Sequence, residues 1–202
     1  GMTAWDADGK AYLDFTSGIG VNALGFADPE WVAAVAGQAG QLQHISNLYH
    51  TGPCTKLARK LCKRTGLDKV FFANSGAEAN EGAIKCARKY SVTAYGPGRS
   101  KVVSLVNSFH GRTLATLTAT GQDVFHHDFG PFPENFAYVP ANDLDALRQA
   151  LAAGDVCAVM MELVQGEGGV VALDADYVHQ VADLCAEKDV LVIVDEVQTG
   201  VG

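Results

Sequence analysis

The sequence predicts an α/β fold: a mostly parallel sheet with helices on both faces. Three observations carry that expectation. Short apolar runs at residues 101–106, 156–161 and 190–194 alternate with stretches that carry helix start signals, and strands that are apolar nearly throughout belong to sheets covered on both sides. AVILMFWYC residues make up 48% of the chain and charged residues 19%, against about 25% charged in an average globular protein, so a sizeable core is expected. Glycine supplies 22 of the 202 residues, above the usual ~7%, which calls for tight turns and close backbone approaches between the elements.

The elements follow in order. Residues 12–15, preceded by the turn pair Asp8-Gly9, form one arm of a hairpin. Asp28-Pro29 starts a helix, with Asp as the cap and Pro in the first turn, that runs to about residue 42. A second helix is expected over 53–64 and a short strand over 69–73. Ser75-Gly76-Ala77-Glu78 is a capping box, in which the Ser75 hydroxyl takes one free backbone N–H and Glu78 reaches back to another. Its helix continues to about Tyr90. Residues 101–106 are the next strand, and 121–140, with Pro131, Pro133 and Pro140, is loop-rich. A helix over 143–152 leads to strand 156–161, and after a glycine-rich turn come a helix over 176–187 and strand 190–194. The chain runs out just beyond that strand, which reads as the front part of a longer protein.

Charge and cysteine usage narrow the class. Lys and Arg number 15 against 23 Asp and Glu, a net charge of −8. No stretch gathers the basic residues into a stripe, so nucleic acid and anionic membranes are not expected partners. The five cysteines, Cys54, Cys62, Cys86, Cys157 and Cys185, are odd in number and contain no C-x-x-C pair. That argues against a disulfide framework or a zinc site and fits packing roles in a reducing cytosol. The apolar runs fall far short of the ~20 residues of a membrane span, and residues 1–6 lack the regions of a signal peptide. A soluble, cytoplasmic protein is expected.

In an open parallel sheet the binding crevice lies at the carboxyl ends of the strands, and four polar clusters fall there. Asn74-Ser75-Gly76-Ala77 opens a helix, where small residues let N–H groups approach an anion such as phosphate; the alternative is an ordinary capping box. Asn107-Ser108-Phe109-His110-Gly111-Arg112 places an aromatic beside an arginine, which suits a flat ring plus a carboxylate; the alternative is a core Phe and a surface Arg. Asp195 follows an apolar strand, so its carboxylate is expected to be at least partly buried and to require a partner. A metal-holding role in phosphate hydrolysis needs a G-x-x-x-x-G-K-[ST] loop, absent here, which leaves a protonated ring nitrogen as the better partner. Residues 162–169 form a glycine-rich turn in which Glu167 pairs reversibly with a cation or is simply solvated. His126 and His127 are expected as solvated loop residues, and His44 and His50 as core or interface residues.

In this order the motifs resemble the class III aminotransferases, which use pyridoxal phosphate and have the type I fold. The match begins at Trp5-Asp6 and Gly9–Phe15, continues through 18–25 and Ser46-Asn47-Leu48-Tyr49, and closes with 74–85, 108–113, 165–170 and 195–200. The resemblance implies that residues 1–48 are an N-terminal segment of the small domain and interface, and that 49–202 are part of the cofactor-binding large domain. It implies that Ser75, Gly76 and Ala77 hold the cofactor phosphate, that Phe109 and Val197 flank its ring, and that Asp195 pairs with the ring nitrogen. Gln198 bonds the phenolic oxygen, and Glu196 belongs to the same cofactor-binding run. Arg112 grips the substrate carboxylate and Glu167 shields or releases a second arginine.

The wording of 46–49, 109–113 and 195–200 is closest to the branch of the family at work in arginine biosynthesis. It implies transfer of an amino group between N-acetylornithine and 2-oxoglutarate, in a homodimer. The alternatives are a sibling using 4-aminobutyrate, ornithine or succinylornithine, or a non-catalytic protein that binds the cofactor. Leu163 and Asp28 stand where the family usually has Pro and His, without removing a cofactor contact. The family's catalytic Schiff-base lysine lies a few tens of residues beyond the Asp-Glu-Val-Gln motif, and no lysine follows Asp195 in this sequence. Strand 190–194 separates Lys188 from the crevice, so the 202 residues alone are expected to be inactive, with no catalytic residue of their own.

Overall fold

Thr3–Trp5 (β1) and Ala11–Leu13 (β2) pair antiparallel with Thr3 opposite Leu13. They form the hairpin whose second arm the sequence marks. Asp6 closes its turn, Oδ1 accepting from the N–H groups of Asp8 and Lys10 at 3.0 and 2.9 Å. The computed structural model describes residues 1–201, in two units, 1–70 and 71–201.

In the first unit, Ser17–Gly20 (α1) is one irregular turn, with left-handed backbone at Gly18 and Ile19. Pro29–Ala39 (α2) starts as expected: the Asp28 side chain accepts from the Trp31 N–H at 2.9 Å and Pro29 stands in the first turn. It stops at Gly40, short of residue 42. Gly52–Thr65 (α3) ends on Gly66, whose φ of 75° suits a residue without Cβ. Lys56, Arg59, Lys60, Lys63 and Arg64 recur at three- and four-residue spacing on α3 and are all exposed. Helical spacing therefore gathers them on one face, and the reading that no stretch collects the basic residues is corrected here.

Residues 69–73, expected as a strand, join no ladder among the described residues. An apolar run becomes a strand only where a neighbour takes its N–H and C=O groups. Phe71 instead packs its ring on Gly82, where a Cβ would meet it at 3.2 Å. Gly82 belongs to Gly76–Tyr95 (α4), which runs five residues past the expected end. Lys101–Leu105 (β3) is followed by Leu114–Ala119 (α5), a helix the sequence reading lacks. Phe136–Val139 (β4) is a strand inside the stretch expected as loop. Leu144–Leu151 (α6), capped by Asp143 on the Ala146 N–H at 2.8 Å, leads to Val156–Met161 (β5). A small hairpin of Val164–Gln165 (β6) and Val171–Ala172 (β7) precedes Ala175–Glu187 (α7) and Leu191–Val194 (β8).

The sheet runs β4-β3-β5-β8, every pair parallel. Successive side chains point to opposite faces, and both faces are covered over β3 and β5, while Val192 and Val194 of β8 are exposed. Val103, Leu105, Val159 and Met161 pack with Leu147 and Leu151 of α6 and Tyr177, Val181 and Cys185 of α7. Val102, Ala158 and Met160 pack with Ile84 and Ala87 of α4 and Ala119 of α5. Lys101 pairs with Val156 but Val102 with Ala158, which leaves Cys157 as an inserted residue. That bulge explains why the adjacent Cys157 and Ala158 lie in the same cluster.

Several smaller expectations are corrected. Cys157 and Cys185 are buried, and burial pushes the Cys185 thiol up to about 11; Cys54 and Cys86 are exposed, outside both core clusters. His126 is not a solvated loop residue. Its Nε2 lies 2.9 Å from the Leu117 carbonyl and its ring centroid 5.3 Å from that of Phe132. His44 and His50 are exposed, which removes the core half of the expectation of a core or interface place. Among the described residues no helix is long and apolar enough to cross a membrane.

Candidate functional site

The four polar clusters meet where the carboxyl ends of β3, β5 and β8 face the N-terminus of α4. Three of them follow a strand directly, and residues 74–77 open α4. Asp195 continues β8, its N–H donating to the Met161 carbonyl at 2.8 Å, one residue beyond the last ladder pair. Asp195 is 7% exposed, and three contacts hold its carboxylate. Oδ2 accepts from Asn80 Nδ2 at 2.8 Å and lies 2.9 Å from His110 Nδ1, while Oδ1 accepts from the Val197 N–H at 3.0 Å. Burial pushes the carboxyl up, but the His110 ring, the Val197 N–H and the Asn80 amide together outweigh it and hold the group below the usual Asp value. Asp195 is a buried acid kept ionised.

The turn 107–113 after β3 is bolted to its neighbours. The Phe109 N–H donates to Glu162 Oε2 at 2.9 Å, the His110 N–H to Thr120 Oγ1 at 2.9 Å, and the His110 carbonyl accepts from Asn80 Nδ2 at 2.8 Å. Phe109 is left half-buried, edge-on to Phe125 at 5.5 Å between centroids. Arg112 is exposed, its guanidinium carbon 5.6 Å from the Phe109 ring centroid and 4.9 Å from that of Phe125. Among the described residues no carboxylate pairs with it, so the cation is available to an outside anion.

At the start of α4 the Ser75 hydroxyl accepts from the Glu78 N–H at 3.2 Å. Glu78 reaches back, but to the backbone and side-chain N–H groups of Asn74, at 2.7 and 2.8 Å, and not to Ser75. The capping box is thus shifted by one residue. The N–H groups of Gly76 and Ala77 meet no acceptor among the described residues, which leaves two donors at the positive end of a long helix. Val197 lies directly against Gly76: a Cβ there would come within 2.7 Å of a Val197 methyl.

The turn after β5 carries the fourth cluster. Gly168 passes so close to the Asn107 carbonyl that a Cβ would sit 2.7 Å from it, and Gln165 Nε2 donates to the Val106 carbonyl at 3.0 Å. Glu167 and Glu196 are exposed, and the Glu196 carbonyl accepts from Thr199 and Gly200. The Gln198 side chain approaches Gly166, a Cβ on which would lie 3.8 Å from it. Lys188, by contrast, caps α7 before β8 begins, at the opposite end of that strand from Asp195.

Asn80, His110 and Glu162 are central to the site, and the sequence reading assigns none of them a role. Asn80 stands one helical turn after Gly76, a spacing that puts both on one face of α4 and was the available signal. Glu162 is 6% exposed; burial pushes its carboxyl up, the Phe109 N–H and His110 only partly offsetting it, with Asp195 adding to the rise. Ionised Glu162 is therefore costlier in the folded than in the unfolded protein, so its contribution to stability falls as pH climbs from the ordinary Glu range through its raised value. Glu162→Gln keeps an acceptor for Phe109 and removes the charge. Urea melts are expected to show a gain on the order of 1 kcal/mol at pH 8 that vanishes near pH 4; a loss at pH 8 would refute this.

A family model described as aminotransferase class-III matches residues 1–202. Acetylornithine aminotransferase of Haemophilus ducreyi is 58% identical over the whole of this chain, which covers 51% of that protein. The protein of the same name from Caldanaerobacter subterraneus subsp. tengcongensis is 52% identical, again over the whole chain and 51% of the relative. The crystal structure of N-acetylornithine aminotransferase from Stenotrophomonas maltophilia superposes with a TM-score of 0.84 at 38% identity, covering 99% of this chain and 50% of that one. The chain spans about half the length of the curated relatives it matches.

Proposed function

The chain belongs to the class-III aminotransferases, and from that premise we propose that it supplies the cofactor-gripping half of an acetylornithine aminotransferase. The whole enzyme moves an amino group between N-acetylornithine and 2-oxoglutarate. One observation carries the reading: three donors hold the buried Asp195 carboxylate ionised. A carboxylate offers roughly four acceptor positions, so one remains for a further donor, and the nitrogen of a pyridine ring suits it.

The residues present fit pyridoxal phosphate. The unpaired N–H groups of Gly76 and Ala77, with Ser75 beside them, suit its phosphate, and Phe109 and Val197 offer apolar surfaces for its ring. Bound there, the cofactor supplies an electron sink for the substrate's α-carbon. This chain's own residues do the rest. Asp195 keeps the ring nitrogen protonated, Glu196 belongs to the same run, and Gln198 bonds the phenolic oxygen. Arg112, braced between two aromatic rings, orients the substrate by its α-carboxylate through a two-pronged contact. Glu167 answers the alternation between amino donor and 2-oxo acid by pairing with or releasing a second cation.

The lysine that moves the proton comes from outside these residues in this reading, since none follows Asp195; the 202 residues alone carry no transamination. Residues 1–48 belong to the small domain and the interface of a homodimer, 49–202 to the large domain, and the enzyme works in the cytoplasm. A donor screen on the whole enzyme tests the substrate. Specificity constants for N-acetylornithine are expected to exceed those for ornithine and 4-aminobutyrate by at least about tenfold, because a site that hydrogen-bonds the acetamide leaves polar groups unpaired without it. Preference for free ornithine would point to a sibling activity, and preference for N-succinylornithine to another.

A further inference from the structure

We infer that Asn80 is a positioning residue that locks the ring-nitrogen acid, Asp195, at a fixed place relative to the helix end that faces the phosphate; this rests on the reading given under Proposed function.

Asn80 is 6% exposed, and its single amide nitrogen makes two bonds of 2.8 Å, one to Asp195 Oδ2 and one to the His110 carbonyl. Three elements meet in that one amide: α4, the turn after β3 and the turn after β8. No other side chain of α4 bonds Asp195 among the described residues. Gly76 and Ala77, whose N–H groups face outward, are the first two residues of the same helix. A helix is stiff along its axis, so the first turn of α4 and the Asp195 carboxylate are held at one separation through Asn80. His110 alone cannot do this, because it rides on the turn that Asn80 also holds.

The amide also acts electrically. Asn80 donates to Asp195 without bringing a charge, so it favours the ionised acid while leaving the carboxylate's attraction for a cationic ring nitrogen unneutralised. A lysine or arginine at this position would satisfy the same bond but compete for the charge. The titratable groups around the amide are Asp195 after β8, His110 after β3 and Glu162 after β5.

The test compares dissociation constants for pyridoxal phosphate in the whole enzyme, for the parent, Asn80→Ala and Asn80→Asp, at pH 8 and pH 5.5, each expressed as a ratio to the parent at the same pH. Asn80→Ala is expected to bind about 10–100-fold more weakly at both values, the usual worth of a hydrogen bond to a charged group. Asn80→Asp sets a second carboxylate against Asp195. It is expected to lose at least as much at pH 8 and to recover to within about threefold at pH 5.5, where the pair shares a proton and a donor is restored. Parent-like binding by both variants overturns the inference, and so does an equal loss at both pH values by both, the mark of a merely structural role. Should Asn80→Ala not fold, Asn80→Asp decides by its pH trend alone. A parent that binds no pyridoxal phosphate overturns the functional reading itself, whereas a binding parent with unaffected variants overturns only the role of Asn80.

Discussion

Asp195→Ala is expected to lower the turnover of the whole enzyme about 10³-fold, or ~4 kcal/mol, while leaving the sheet intact. The magnitude follows from removing one partner of a buried charge pair, which costs about 3–5 kcal/mol because the other charge is left uncompensated. In the proposed reading Asp195 would hold the proton on the cofactor's ring nitrogen, and without that carboxylate the ring would be a weaker electron sink for the substrate. The fold tolerates the change because Asp195 lies beyond the last residue of β8 and outside both core clusters. Single-turnover kinetics with N-acetylornithine measure the effect. A variant that kept turnover within tenfold of the parent would remove Asp195 from the chemistry.

The same carboxylate makes the protein acid-sensitive in a definite direction. Its folded value is depressed: burial opposes ionisation, but the His110, Val197 and Asn80 donors outweigh it. Stability from Asp195 is therefore present above the ordinary Asp value and is lost as pH falls through the depressed one. Glu162, a short reach away across Phe109, has the opposite sign. Two buried carboxylates of one site are thus held in different protonation tendencies by their surroundings. Asp195 collects three donors, while Glu162 has the Phe109 N–H and a longer contact from Gly166 at 3.4 Å.

Legibility of the fold in the sequence tracked how many forces agreed at each segment. Val156–Met161 is apolar at every position and buried at every position, so pattern and environment coincide and its limits could be read directly. Phe136–Val139 has only four residues and is followed by Pro140. Its strand character comes from lying beside β3 in the parallel register Val103↔Ala137, a long-range fact that no local window carries. Leu114–Ala119 was hidden for a related reason. Two of its six residues are threonines, which are poor helix formers, and the helix is closed instead by the reciprocal Thr113–Thr116 bonds and by burial of 116–119. The run at 69–73 failed the other way, having strand composition but no ladder to join.

The site shows the same division. Phe109, Arg112 and Asp195 drew attention because each follows a strand, and Ser75, Gly76 and Ala77 because they open a helix, each bringing a residue type with obvious chemistry. Asn80 and His110 were passed over because their importance is relational. An asparagine inside a helix reads as a weak helix former, until the fold brings Asp195, 115 positions away, within 2.8 Å of it. The basic stripe on α3 was missed more simply, since it appears only when residues are counted around the helix and not along the chain.

Gly111→Ala is expected to destabilise the protein by at least about 3 kcal/mol and to weaken cofactor binding with it. Two costs add. Gly111 has φ +134°, which L side chains rarely adopt, and such strain is worth on the order of 1–3 kcal/mol. The added Cβ would also lie 2.6 Å from Thr116 Oγ1, 2.8 Å from Ala77 Cβ and 3.0 Å from Ala77 Cα. Ala77 is the second residue of α4, so relief of the clash must push the turn after β3 away from the helix end proposed for the phosphate. It must also disturb Thr116, whose hydroxyl takes the Thr113 N–H at 3.1 Å. Gly98→Ala separates the two costs. Gly98 has φ +106° with nothing within 4 Å of its would-be Cβ, so strain acts there without collision. Urea melts of the two variants are expected to differ by more than about 1 kcal/mol, with only Gly111→Ala losing affinity for pyridoxal phosphate. Equal losses at the two positions would mean that backbone strain alone governs Gly111, and that its contact with Ala77 does not shape the site.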